Sequence, residues 1–128
     1  MLKKSIYYVV LLGGLLSLAA CAKVQPIVNL QHQPIKRTVT QNQVRSCIVS
    51  AGKARHWRMD EMKPGVIRGH IDVRGHLASI DIKYSKKDYS INYRSSENLL
   101  ARGGSIHRNY NKWVKLLNRN IQACVYNN

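Results

Sequence analysis

From Val39 onward the apolar positions of the chain follow one secondary-structure period and then another. Val44, Cys47, Ile48 and Ala51 recur at i, i+3, i+4 and i+7, the spacing of one helical face. Ahead of them Thr40 and Gln43 occupy the N-cap and N3 positions of a capping box, with Val39 and Val44 at the staple positions, so a helix is expected from Thr40 to near Ala54. The period then becomes two. Trp57 and Met59 alternate with Arg58 and Asp60. Ile67, Gly69, Ile71 and Val73 alternate with Arg68, His70, Asp72 and Arg74. Ala78, Ile80, Ile82 and Tyr84 alternate with Ser79, Asp81 and Lys83, and Tyr89, Ile91 and Tyr93 with Ser90, Asn92 and Arg94. Lys63-Pro64-Gly65, Gly75 and Ser85 to Asp88 separate the runs as turns. Four such runs with short links predict an antiparallel meander with one apolar and one wet face.

After a loop over residues 95–104 the helical period returns. Ile106, Tyr110, Trp113, Leu117, Ile121 and Cys124 share one face, with Ser105 as the expected cap. Arg108, Lys112, Lys115 and Arg119 fall on the opposite face, and no acidic residue follows Ser105. Helix, four strands, helix, with one wet sheet face, predicts an α+β two-layer sandwich with both helices on the same side of the sheet. Residues 22–39 are polar and interrupted by Pro26 and Pro34, so they are expected to form a flexible tether spanning about 25 Å. Domain 40–128 would carry the fold.

Residues 1–20 change where this domain is expected to reside. Lys3 and Lys4 precede an apolar or small run from Ile6 to Leu16, which is shorter than the roughly 20 residues of a spanning helix. Ala19 and Ala20 then supply small residues before a cut, as in a secretory leader. Leu18-Ala19-Ala20-Cys21 resembles the lipobox of bacterial lipoproteins. That resemblance implies cleavage before Cys21, a diacylglyceryl group on its sulfur and acylation of the new amine, such as palmitate. Several chains together anchor firmly, at about 0.8 kcal/mol per buried methylene. Residue 22 is Ala and not the Asp that retains such proteins in the inner membrane of enteric bacteria. The expected location is therefore the outer membrane, facing the periplasm, or the inner membrane where sorting rules differ.

The 128-residue chain carries 21 Lys and Arg against six Asp and Glu, a formal net charge of +15. The leader removes two of those positive charges. The excess favours anionic partners: acidic phospholipid, peptidoglycan carboxylates or an acidic envelope protein. Nucleic acid is not expected for a lipidated periplasmic domain. Cys47 and Cys124 remain beside Cys21. In an oxidising compartment they read as a disulfide, with buried free thiols as the alternative. Their spacing fits no zinc site, and no cofactor or metal is expected.

Signatures of catalysis are sparse. There is no Gly-rich phosphate loop, no G-x-S-x-G, no H-E-x-x-H and no carboxylate pair of the glycosidase kind. His70 and His76 flank the expected turn at Gly75 and could meet on the wet face, while His107 opens the last helix; these three are the candidates for acid–base work in a small hydrolase. The basic stripe Arg108, Lys112, Lys115 and Arg119 is the more specific candidate, for contact with an anionic surface.

Ile106-His107-Arg108-Asn109-Tyr110-Asn111-Lys112-Trp113-Val114 is similar to an I-H-x-x-Y-N-x-W-V signature of a family of small proteobacterial outer-membrane lipoproteins. The similarity reaches back through Ile82-Lys83-Tyr84, Tyr89 to Tyr93, Ser95 to Leu99 and His56-Trp57. It implies family membership without an activity. Within the signature Tyr110 and Trp113 face the expected core, and His107 and Asn111, one turn apart, are expected to hydrogen-bond the preceding loop. The leading expectation is a non-enzymatic, lipid-anchored module of envelope maintenance or assembly. The alternatives are the histidine hydrolase, or a binding or inhibitor module for an acidic protein or glycan.

Overall fold

The computed structural model describes residues 23–127; the expected leader and the lipidation candidate Cys21 lie outside the described residues. Helix α1 (Gln41–Ala54) starts where the capping box places it. Thr40 Oγ1 accepts from Gln43 N at 3.1 Å and Gln43 Oε1 accepts from Thr40 N at 2.8 Å. The helix ends in a Schellman motif. Trp57 N donates to Gly52 O at 2.8 Å and His56 N to Lys53 O at 3.3 Å, with His56 at φ 65°. Glycine usually occupies that left-handed position, because a Cβ there crowds the following carbonyl.

The central strands are β3 (Arg58–Lys63), β4 (Val66–Val73), β5 (His76–Tyr84) and β6 (Asp88–Glu97), a consecutive antiparallel meander. Arg74 and Gly75, both at positive φ, make the two-residue turn from β4 to β5, the conformation that matches the twist of a hairpin. Ile67, Ile71, Ile80, Ile82 and Ile91 fill one face and are at most 5% exposed. Helix α2 (Arg108–Asn127) and α1 both pack on that face, so the domain is an α+β two-layer sandwich. Val44, Cys47 and Ile48 of α1 meet the sheet alongside Tyr110, Val114, Leu117, Ile121 and Val125 of α2. Across the helix pair Cys47 and Cys124 are joined by a disulfide, with Cα atoms 5.5 Å apart.

Two short strands precede α1, in the stretch expected to be a flexible tether. Strand β1 (Val24–Pro26) pairs with β7 (Ser105–His107), and β2 (Leu30–Pro34) pairs with β6 as the fifth strand of the main sheet. Side chains take over where the ladder is interrupted. Asn29 Oδ1 accepts from Tyr93 N at 2.8 Å, and Ser90 Oγ accepts from His32 N at 2.9 Å. Farther on, Arg37 donates to Val125 O at 3.1 Å and Tyr126 Oη donates to Pro34 O at 3.1 Å. Residues 23–37 therefore form a strap fixed to both ends of α2. The expectation of a coil fails because these backbone groups find partners far along the chain, not because the strap has a strong period of its own. Ser105, expected as a helix cap, is in strand β7 instead.

Candidate functional site

The basic face of α2 begins where the strap begins. Arg108 N donates to Lys23 O at 2.8 Å, pinning the first described residue to the first turn of α2. Asn111, 2% exposed, holds the next residues. Its Oδ1 accepts from Val28 N at 3.0 Å, and its Nδ2 donates to Pro26 O at 2.9 Å and Gln25 Oε1 at 3.1 Å. The expected bond from Asn111 to the preceding loop is thus replaced by bonds to a segment more than eighty positions away. His107 is bonded locally, its Nδ1 accepting from Asn109 N at 3.1 Å.

Arg108, Lys112, Lys115 and Arg119 are all exposed and line a single open groove of about 590 Å³ together with Gln25, Asn109 and Leu116. None of the four pairs with a carboxylate among the described residues. Arg108 also sits at the positive end of the helix dipole, with no acidic residue in the first turn to offset it. That end of the domain is an unneutralised cationic surface.

The wet face of the sheet is organised differently. Arg68 donates to Asp81 at 2.8 Å and Arg94 lies 3.6 Å from the same carboxylate. Chiefly through the Arg68 hydrogen bond, the Asp81 carboxyl is held below its ordinary value of 3.8, against the opposing effect of burial. One row further along, the register sets Arg58, His70, Ser79 and Ser95 side by side across four strands. Asp60 lies 3.4 Å from both Arg58 and His70. This row borders an open trough of about 560 Å³, which His56, Asp72 and Glu97 also line.

The histidines proposed for acid–base chemistry do not assemble. His76 pairs with Val73 and lies on the opposite side of the pleat from His70; its Nδ1 is 2.6 Å from Asn98 O. His107 is in β7, bonded as above. His70 and His76 flank the turn in sequence, but the pleat sends positions 70 and 76 to different faces of the hairpin. His70 instead faces Ser79, whose Oγ is buried without a hydrogen-bond partner among the described residues, so no nucleophile–base pair is formed there.

Two other buried polar groups lack partners among the described residues: Trp57 Nε1 and Tyr110 Oη. Leaving such a group unpaired costs about 1–3 kcal/mol. Tyr110 lies edge-on to Tyr93 with ring centroids 5.5 Å apart, and burial raises its pKa. Burial also pushes the Tyr89 phenol, bonded to Asn118, up to about 12, so both phenols stay neutral at physiological pH. Among the described residues no cluster of His, Cys, Asp and Glu is suited to hold a metal ion, and no helix is long and apolar enough to cross a membrane. Comparison of the chain with known protein families, curated proteins and solved structures gives no match.

Proposed function

We propose that the chain is a lipid-anchored, periplasm-facing envelope protein of the outer membrane that acts by binding, and that the basic face of α2 rests on anionic headgroups of the leaflet that holds its lipid. The observation that carries this reading is the 2.8 Å bond from Arg108 N to Lys23 O. It fixes the chain two residues from Cys21 and directly beside the basic groove. Two residues of extended chain reach at most about 7 Å. A lipid on Cys21 would therefore draw Arg108 and Lys112 onto the headgroups. A long coil would leave the domain free to turn. The lipobox supports the anchor, and the uncompensated charge of the groove supports an anionic counter-surface.

Binding of the acylated protein and of its Cys21→Ser form to phosphatidylglycerol and phosphatidylcholine vesicles tests the reading. Each basic residue near such a surface contributes about 1 kcal/mol. Changing Arg108, Lys112, Lys115 and Arg119 together to Gln is expected to weaken binding of the Cys21→Ser form to phosphatidylglycerol by at least ~100-fold. Changing Lys83, Lys86, Lys87 and Arg94 to Gln, the same loss of charge elsewhere, should weaken it far less. Equal losses in the two variants would refute a specific docking face.

A further inference from the structure

Strained backbone gathers at one end of the molecule. Of the five non-glycine residues at positive φ among the described residues, three meet there: Arg74, Asn98 and Leu100. Asn98 Nδ2 donates to Gly75 O at 2.8 Å, and Asn98 O lies 2.6 Å from His76 Nδ1, so the loop after β6 is clamped to the β4–β5 turn. The next residues run beside β7. Leu99 O accepts from His107 N at 2.8 Å, and Arg102 and Ser105 exchange two backbone bonds of 3.0 Å around Gly103 and Gly104. Gly104 O accepts from Ile27 N at 2.9 Å. Strand β1 lies along the other edge of β7, with Val24 opposite His107, and Lys23 O takes the Arg108 N–H.

What this scaffold displays is Leu100. Its neighbour Leu99 is 3% exposed and locked in the core, whereas Leu100 is 55% exposed. Its φ of 56° is one that a side chain with a Cβ disfavours. A leucine kept in water on strained, hydrogen-bonded backbone points to a contact rather than to a slack loop. Its surroundings are cationic: Arg74, Arg102, Arg108 and Lys23 are all exposed. No acidic residue occurs from Asn98 to Asn128, and the acids nearest in sequence, Asp72 and Glu97, line the trough of the wet face. Two strand spacings, about 10 Å, separate the Leu100 run from β1. Lys23, at the start of β1, stands two residues from Cys21. The paired backbone of the loop also lowers the cost of pressing it against an apolar phase.

We propose that Leu100 is an apolar wedge that enters the upper acyl region of the leaflet, with Arg74, Arg102 and Arg108 at the level of the phosphates. The occupant is a bilayer because the lipid proposed for Cys21 brings one to within about 7 Å of Lys23, on the same three-stranded edge. The cations around the leucine match its anionic headgroups. This inference rests on the membrane reading of α2 and deepens it. Arg108 belongs to both surfaces, so the basic groove and the wedge meet the bilayer together. Two contacts beside the lipid fix the tilt of the domain, which the groove and a single anchor would leave loose.

The acylated protein in nanodiscs of phosphatidylglycerol and phosphatidylcholine, with ¹³C-labelled leucine methyls and ¹⁵N-labelled amides, tests the wedge by NMR. Loss of signals in Leu100→Met identifies the Leu100 methyls. Lipids with a nitroxide near the top of the acyl chain should broaden those methyls and the Arg108 amide. The Lys86 amide, beyond the far end of β5 and about 27 Å along that strand, should stay sharp. In the Cys21→Ser form, Leu100→Ser should weaken binding to phosphatidylglycerol vesicles by ~5-fold or more, as for a leucine that loses part of its burial. Leu100→Gly removes the wedge and relieves the left-handed strain, so it should be at least as stable to urea and bind as weakly as Leu100→Ser. Sharp Leu100 methyls beside a broadened Arg108 amide would overturn the wedge and leave the headgroup reading standing. Sharp signals at both would overturn both. Binding of the Ser and Gly variants equal to that of the parent would likewise overturn the wedge.

Discussion

Replacing Asn111 by Ala removes the side chain that holds the strap to α2. Three hydrogen bonds disappear: from Val28 N at 3.0 Å, to Pro26 O at 2.9 Å and to Gln25 Oε1 at 3.1 Å. Asn111 is 2% exposed and Val28 is half-buried, so water replaces these bonds poorly. A typical intramolecular bond contributes about 1 kcal/mol net, and a buried donor left unpaired costs about 1–3 kcal/mol. The glutamine contact is side chain to side chain and contributes least. The expected loss is about 3 kcal/mol in global stability, read from urea unfolding monitored by circular dichroism. The loss should also be local. Amide exchange at Val28 and its neighbours should rise ahead of exchange at Ile80 and Ile82, since the strap opens before the sheet. Asn111→Asp, which sets a buried carboxylate oxygen against Pro26 O and Gln25 Oε1, should be at least as destabilising as Ala at pH 7. A loss below about 1 kcal/mol, or strap exchange unchanged in the Ala variant, would refute the assignment of Asn111 as the clasp.

Reducing the Cys47–Cys124 bond frees a loop spanning 77 positions, and the chain-entropy relation gives a cost of about 4.5 kcal/mol. The melting temperature of the reduced protein and of the Cys47→Ala/Cys124→Ala variant should both drop by at least ~15 °C on the scale of small domains, whereas unchanged melting with reductant would remove the disulfide from the stability of the fold. Asp81→Asn should be less stable than wild type at pH 7. Because the native carboxyl titrates below 3.8, the gap should hold above that value and close as pH falls through the lower native pKa; a gap that widens on acidification contradicts the Arg68 contact as its cause. His56→Gly should raise stability by about 1 kcal/mol by removing the left-handed strain at φ 65°, and urea midpoints of the two proteins decide it.

The local parts of this protein are legible in its residues. The capping box at Thr40 and Gln43, the helical face from Val44 to Ala51 and the alternation in β4, β5 and β6 all read from neighbours within a few positions, and all stand in the structure. The stripe Arg108, Lys112, Lys115 and Arg119 was readable for the same reason, since helical spacing alone puts these four residues on one side. The cysteine pair could be proposed because both residues sat on apolar helix faces.

The strap, the clasp and the hollow beside Trp57 were decided by tertiary structure. Lys23 meets Arg108, Val28 meets Asn111 83 positions away, and Tyr126 meets Pro34 at a separation of 92, so no window of sequence contains both halves of any of these bonds. A polar, proline-broken stretch has too little apolar surface to order itself. It becomes a strand only because β6 offers an open edge and the side chains of Asn29, Ser90 and Asn111 satisfy the backbone where pairing lapses. The hollow of about 180 Å³ beside Trp57 likewise needs three elements to converge, with Trp57 placed by a helix end, Ile71 by a strand and Trp113 by the second helix. Period and capping are set by forces that act along a few residues of backbone. Which edge is covered, and which indole is left without an acceptor, depends on the packing of segments brought together only when the whole chain has folded.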